Sequence, residues 1–188
     1  ARRVMQTESG IAPDALSRYV SRTYAPDDMA AGPASGSWRH DGMVICPCSM
    51  SSLASIASGV GLNLIHRAAD VTLKERRPLV LVTREAPLNL IHLKNMQAVT
   101  EAGGIIMPFS PAFYTNETGM PMLVRHFTGR VLDMLDIGHS LCARWRDDAW
   151  DYNGYVQKAL PQRALPVHFQ EATEGGGTSG FLMSCTAE

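Results

Sequence analysis

The stretch RAADVTLKERRPLVLVTRE, residues 67–85, decides the fold. Arg67, Asp70 and Lys74 are spaced i, i+3 and i+7, which places them on one face of a helix. Pro78 ends that pattern because it has no N–H to donate and its ring clashes with the preceding turn. Leu79, Val80, Leu81 and Val82 then run without a polar residue, the pattern of a strand buried on both faces of a parallel sheet. Arg84 and Glu85 fall just past its end. Ligands of open parallel α/β sheets bind outside the carboxyl ends of strands, so this pair is a site candidate. The stretch holds five basic residues (Arg67, Lys74, Arg76, Arg77, Arg84) against three acidic ones (Asp70, Glu75, Glu85), in a chain of formal net charge −1. A solvated basic face with weak surface ion pairs is the competing account of that excess.

On the N-terminal side, Gly36, Ser37 and Gly42 mark a loop, and MVIC at 43–46 reads as another buried strand. PCSMSS follows, then an Ala/Leu/Ile pattern of helical period that Gly59 and Gly61 divide into helices over 51–58 and 62–74. A strand, a small-residue turn and a helix opening at Ser49–Ser52 suit anion or ring binding, because backbone N–H groups and hydroxyls point past the strand's end. Plain N-capping by serine accounts for the same residues without a ligand. Farther upstream, residues 1–7 and a segment starting at Pro13–Asp14 are short helix candidates, with the acidic Glu8 between them.

On the C-terminal side, Pro87 stands near the start of a helix over LNLIHLKNMQAVTEAG, with Leu88, Ile91, Met96 and Val99 expected on its packed face. Gly103–Gly104 ends it, and GIIMP supplies a third strand. Alternating strands and helices imply a parallel sheet. The Pro-rich loop that follows presents Phe113 and Tyr114 as a cover for a pocket or as core aromatics. MLVRHFTGRVLDMLDI is an amphipathic helix with Leu123, Phe127, Val131, Leu132 and Leu135 inward and Arg130 one step off that stripe.

With 188 residues, 45% of them hydrophobic and 19% charged, the composition is that of a soluble globular domain. We expect that domain over 1–145 and a tail or arm over 146–188, where periodicity is lost. No apolar run reaches the ~18 residues of a membrane span and no signal-peptide pattern opens the chain, so a cytoplasmic location without membrane association is expected. Near-neutral charge and a pI of about 6.7 argue against a nucleic-acid partner. Cys46, Cys48, Cys142 and Cys185 form no CxxC pair, and a zinc site from Cys46, Cys48 and His40 fits no common ligand spacing.

PCSMSSLASIASG, LIHRAADVTLKERRPLVLVTREAPL, HLKNM, MPFSPAFY, GRVLDMLDI and ARW, in this order, resemble the flavin prenyltransferase (UbiX-like) family, whose members sometimes carry the older label of aromatic-acid decarboxylase. The resemblance implies a flavodoxin-like or Rossmann-like parallel sheet with helices on both faces, assembled as a homododecamer. It implies transfer of a dimethylallyl group from dimethylallyl phosphate to N5 and C6 of reduced FMN, without a metal, giving the prenylated FMN used by a UbiD-type decarboxylase. Residue by residue, it implies flavin contacts from Ser49, Met50 and Arg67, and prenyl-phosphate contacts from Lys74, Arg84, Tyr114 and Arg130. It further implies acid/base roles for Glu85 and Glu8, and an aromatic wall at Trp145. The family's first strand, its glycine-rich FMN turn and the helix and strand after it have no counterpart in residues 1–188, and GPASGSW at 32–38 matches its later SGSF segment. Two other readings stand beside this one. A flavin-dependent cysteine-type decarboxylase of the same fold would show PASANT and PxMNxxMW segments where this chain has PCSMSS and PFSPAFY. A flavin-binding or structural subunit, catalytically impaired for want of the glycine-rich turn, would bind FMN weakly.

Overall fold

An unbroken apolar run needs cover on both faces, and Leu79–Thr83 (β3) is buried at all five positions. The computed structural model describes residues 7, 10, 12–112, 119–142, 167–171 and 181–185. In chain order its elements are β1 (Val20–Tyr24), β2 (Gly42–Cys48), α1 (Met50–Ala57), α2 (Leu64–Lys74), β3, α3 (Leu90–Glu101), β4 (Ile105–Pro108), α4 (Met120–Met134), β5 (Val167–Glu171) and β6 (Phe181–Cys185). They fall into two compact units, one of residues 1–108 with 165–188 and one of residues 109–164. Among the described residues no helix is long and apolar enough to cross a membrane.

The first unit is a six-stranded sheet in the order β1-β5-β6-β2-β3-β4. β2, β3 and β4 are parallel and joined through helices, the flavodoxin-like arrangement that alternating strands and helices predict. Leu53 of α1, Ala68 and Ala69 of α2 and Val99 of α3 pack with Ile45 and Leu81 of the sheet in one core. The two helices read over 51–58 and 62–74 are α1 and α2, within two residues at each end. Serine and asparagine cap them as local chemistry dictates: Ser49 Oγ accepts from Ser52 N–H, and Asn63 Oδ1 accepts from His66 N–H.

Register levels the carboxyl ends of the parallel strands, with Cys48 opposite Thr83 and Thr83 opposite Pro108. Between Ile45 and Cys48 the register shifts, because β2 spends one residue more than β3 over this span. The bulge turns Cys46 and Pro47 outward and returns Cys48 to the interior.

Several expectations need correction. β1 is not visible in the sequence because three of its five residues are exposed and polar, leaving no apolar alternation. The segment set apart as a tail contributes β5, parallel to β1, and β6, antiparallel to β2, so the sheet is mixed on that side. Leu88 precedes α3 and Ile91 is 68% exposed; the inward face is His92, Asn95, Met96 and Val99, an i, i+3, i+4, i+7 set. In the second unit, α4 buries Phe127 and Val131 as expected, and Phe109 meets Phe127 edge to face with ring centroids 4.8 Å apart. The helix expected over 1–7, apart from Thr7, and the loop aromatics Phe113 and Tyr114 lie outside the described residues.

Candidate active site

Ser49 and Arg84 are the residues that follow Cys48 and Thr83, and these two are paired in the β2–β3 register. Neighbouring strands lie about 4.8 Å apart, so Ser49, Met50, Arg84 and Glu85 leave the sheet side by side at its carboxyl edge. Arg84 and Glu85 are exposed, and Arg84 makes no hydrogen bond or ion pair with any described residue. Glu85 Oε1 accepts from the N–H of Ala86 at 3.3 Å, leaving the carboxylate otherwise turned to solvent. Met50 packs partly against the core, which fixes the first turn of α1. Because each helix returns antiparallel to its strand, the N-termini of α1, α2 and α3 all open at this edge. Their free N–H groups and dipoles favour an anion there.

Lys74 is elsewhere. It ends α2, and after four intervening residues the chain enters β3 from its amino end, so Lys74 and Arg84 occupy opposite ends of that strand. The four residue steps of β3 alone span about 13 Å. Lys74 pairs with its neighbour Glu75, and the two side-chain ends lie against Gly36, with Lys74 Nζ 2.6 Å from where a side chain on that glycine would begin. Arg67, one turn into α2, donates from Nε to Ala34 O at 3.1 Å and from a terminal nitrogen to Asp70 at 2.8 Å. This matches the i, i+3 spacing seen in the sequence and leaves part of the guanidinium for a ligand.

Sequence reasoning left Arg77 without a role, and the fold supplies one. Its guanidinium donates to Gly36 O at 3.0 Å, Trp38 O at 2.8 Å and His40 Nδ1 at 2.9 Å, clamping loop 36–40 onto the end of α2. With Nδ1 accepting, His40 carries its hydrogen on Nε2 and donates to Thr72 Oγ1 at 3.0 Å, while Thr72 donates to Ala68 O. Both ring nitrogens are engaged, so His40 is no zinc ligand. Burial, and then the charge of Arg77, lower its pKa below 6.5, and burial does the same for His66. The unfolded chain therefore binds more protons than the folded one below about pH 6.5, so the contribution of these neutral histidines is complete above that pH and is lost as pH falls. We expect the urea midpoint to drop between pH 7.5 and pH 5, and His40→Gln to flatten that slope; an unchanged slope in the variant would rule out His40 as its source.

Arg130 lies in the second unit, on α4, where it pairs with Asp133 at 2.5 Å. His139 Nε2 is 2.9 Å from the other Asp133 oxygen, and its Nδ1 accepts from Leu141 N–H at 3.0 Å. Asp133, His139 and Cys142 bring three ligand-type atoms within 4.8 Å of one another. A metal would need the Nε2 lone pair and a hydrogen on Nδ1, but Nδ1 faces a backbone donor. The arrangement therefore suits a fixed Nε2–H donor to Asp133, which in turn holds Arg130. Cys48 gives no thiolate either, since burial pushes its thiol up to about 12. Glu8, Tyr114 and Trp145 lie outside the described residues.

The sequence passed over His66, and it marked Ser52 only as part of the helix opening at Ser49–Ser52. His66 Nε2 is 3.3 Å from Ser52 Oγ, which lies 3.3 Å from Ser49 Oγ, and both residues are buried. The available signal was a histidine within the apolar stretch LIHRAA.

An α/β sheet with an anion-favouring carboxyl edge, lined by serine, arginine and glutamate, defines a phosphate- or cofactor-binding class. Comparison with known proteins narrows it. Residues 7–139 match the family described as Flavoprotein. The chain is 48% identical over 138 residues to a probable UbiX-like flavin prenyltransferase of Bacillus subtilis, covering 73% of this chain and 68% of that one. It is 42% identical over 159 residues to flavin prenyltransferase UbiX of Pseudomonas aeruginosa, covering 77% and 76%. The crystal structure of AnUbiX (PadA1) in complex with FMN and dimethylallyl pyrophosphate superposes with a TM-score of 0.75 at 43% identity, covering 80% of this chain and 79% of that one. A dodecameric FMN-dependent UbiX-like decarboxylase from Escherichia coli O157:H7 gives 0.74 at 40% identity, covering 78% and 79%. The chain belongs to the flavoprotein family, in its UbiX-like flavin prenyltransferase branch.

Proposed function

We propose that this chain is a flavin prenyltransferase, joining the dimethylallyl group of dimethylallyl phosphate to reduced FMN and yielding prenylated FMN for a UbiD-type decarboxylase. The observation that carries this reading is the pairing of Cys48 with Thr83, which sets Ser49–Met50 beside Arg84–Glu85. Ser49, Met50 and Arg67 fit the flavin side: a capping hydroxyl, a half-buried thioether and a guanidinium with capacity left over beside three helix N-termini. Reduced FMN, when bound, supplies the nucleophilic ring nitrogen and carbon. The carbon–oxygen bond of the prenyl phosphate breaks with its electron pair leaving on phosphate, so cations are needed where that charge develops. Arg84 and Lys74 supply it, with Arg130 and Tyr114 as further contacts, and Glu85 takes up or returns a proton. No step requires a metal.

Because Lys74 and Arg84 lie at opposite ends of β3, one phosphate is held by Arg84 of one copy and Lys74 of another, which makes the active form a homo-oligomer. A dodecameric relative supports that assembly. The cysteine-type decarboxylase and the impaired subunit are not favoured, since the named relatives are flavin prenyltransferases. Anaerobic incubation of the chain with reduced FMN and dimethylallyl phosphate should yield the mass of the prenylated flavin; folded protein that gives none overturns the proposal.

A further inference from the structure

Ser49 sits where the proposed flavin site opens, and its hydroxyl is already committed. Its oxygen accepts from Ser52 N–H at 3.1 Å, and its hydrogen is directed inward to Ser52 Oγ at 3.3 Å. Having received that hydrogen bond, Ser52 can pass its own hydrogen to His66 Nε2, also at 3.3 Å. His66 then carries its hydrogen on Nδ1, which is buried without a partner among the described residues, in a residue only 3% exposed. A buried polar atom left unpaired is costly, and an apolar side chain would remove the cost, so its presence calls for a role. Burial lowers the pKa of His66 and keeps the ring neutral, hence able to accept at Nε2.

What remains of the Ser49 hydroxyl once both contacts are made is an oxygen lone pair. A group facing it must bring a hydrogen. Reduced flavin carries N5–H, whereas in oxidised flavin N5 is a bare acceptor. Resting on the flavin reading of Ser49, we propose that Ser52 and His66 are positioning residues that hold the Ser49 hydroxyl as an acceptor, so that the site prefers reduced FMN to oxidised FMN.

The test is the ratio of dissociation constants for oxidised and reduced FMN, measured by anaerobic titration of the full chain. Wild type should bind the reduced form more tightly. Ser52→Ala keeps the backbone N–H that holds Ser49 Oγ but frees the serine hydrogen to turn outward, and the ratio should fall by about tenfold, the worth of roughly one hydrogen bond. Ser52→Thr should restore the preference, and His66→Phe should weaken it. Thermal unfolding of each variant identifies any that fails to fold; if His66→Phe does, Ser52→Ala carries the test. A ratio unmoved in Ser52→Ala overturns the positioning role while leaving the flavin site standing. Failure of wild type to bind either form overturns the flavin reading and this inference with it.

Discussion

Glu85→Gln should lower the rate of prenylated-flavin formation by about two to four orders of magnitude, the usual worth of a positioned acid/base group. Glutamine keeps the length and shape of the side chain, so contacts made by bulk or by a carbonyl oxygen survive; only proton transfer is lost. Glu85 is exposed and its one hydrogen bond to a described residue is a weak one to Ala86 N–H, so the fold has little to lose. Surface changes of this kind usually alter stability by no more than about 0.5 kcal/mol. The measurement is single-turnover product formation followed by mass, with thermal unfolding of the same sample. A near-wild-type rate would remove Glu85 from the chemistry and return the Arg84–Glu85 pair to a solvated strand end.

The second large effect is recovery rather than loss. Lys74→Ala and Arg84→Ala should each reduce turnover by about ten- to a hundredfold or more, because each removes one of the cations proposed to hold the departing phosphate. Lys74 ends the helix ahead of β3, whereas Arg84 follows β3, so the proposed phosphate site takes the two cations from different copies. Co-expressing the two variants with different tags and isolating mixed oligomers should restore activity. With equal random assembly about a quarter of the sites join an intact Arg84 to an intact Lys74. Mixed oligomers as inactive as either parent would mean that the two cations do not meet across a subunit boundary.

Much of this could be read from residue order. The Pro78 break, the LVLVT run and the serine cap at Ser49 are local, and β3, α1 and α2 stand where those signals put them. α3 was legible as a helix and, at Met96 and Val99, in half of its packed face. Leu88 and Ile91 are apolar yet exposed, and only the position of β3 and α1 decides that His92, Asn95, Met96 and Val99 turn inward. β1 and the strand pairs of β5 and β6 were illegible for a different reason. The ladders that tie them into the sheet, β1 to β5 and β2 to β6, are backbone hydrogen bonds between segments more than a hundred residues apart, and the side chains of β1 are mostly polar.

The candidate site divides the same way. Which side chains carry charge, and which lie just past a strand, are properties of a short stretch, so Arg67, Lys74, Arg84 and Glu85 could be singled out from RAADVTLKERRPLVLVTRE alone. That Arg84 and Ser49 stand together while Lys74 stands at the far end follows from strand register and from the direction of α2. That Arg77 clamps Gly36, Trp38 and His40, and that His66 reaches Ser52, requires residues 14 to 41 positions apart to be packed in contact. Residue chemistry and local periodicity were set by the sequence itself; register, burial and the direction of each hydrogen bond were decided only by the tertiary structure, because they depend on which distant surfaces exclude water from one another.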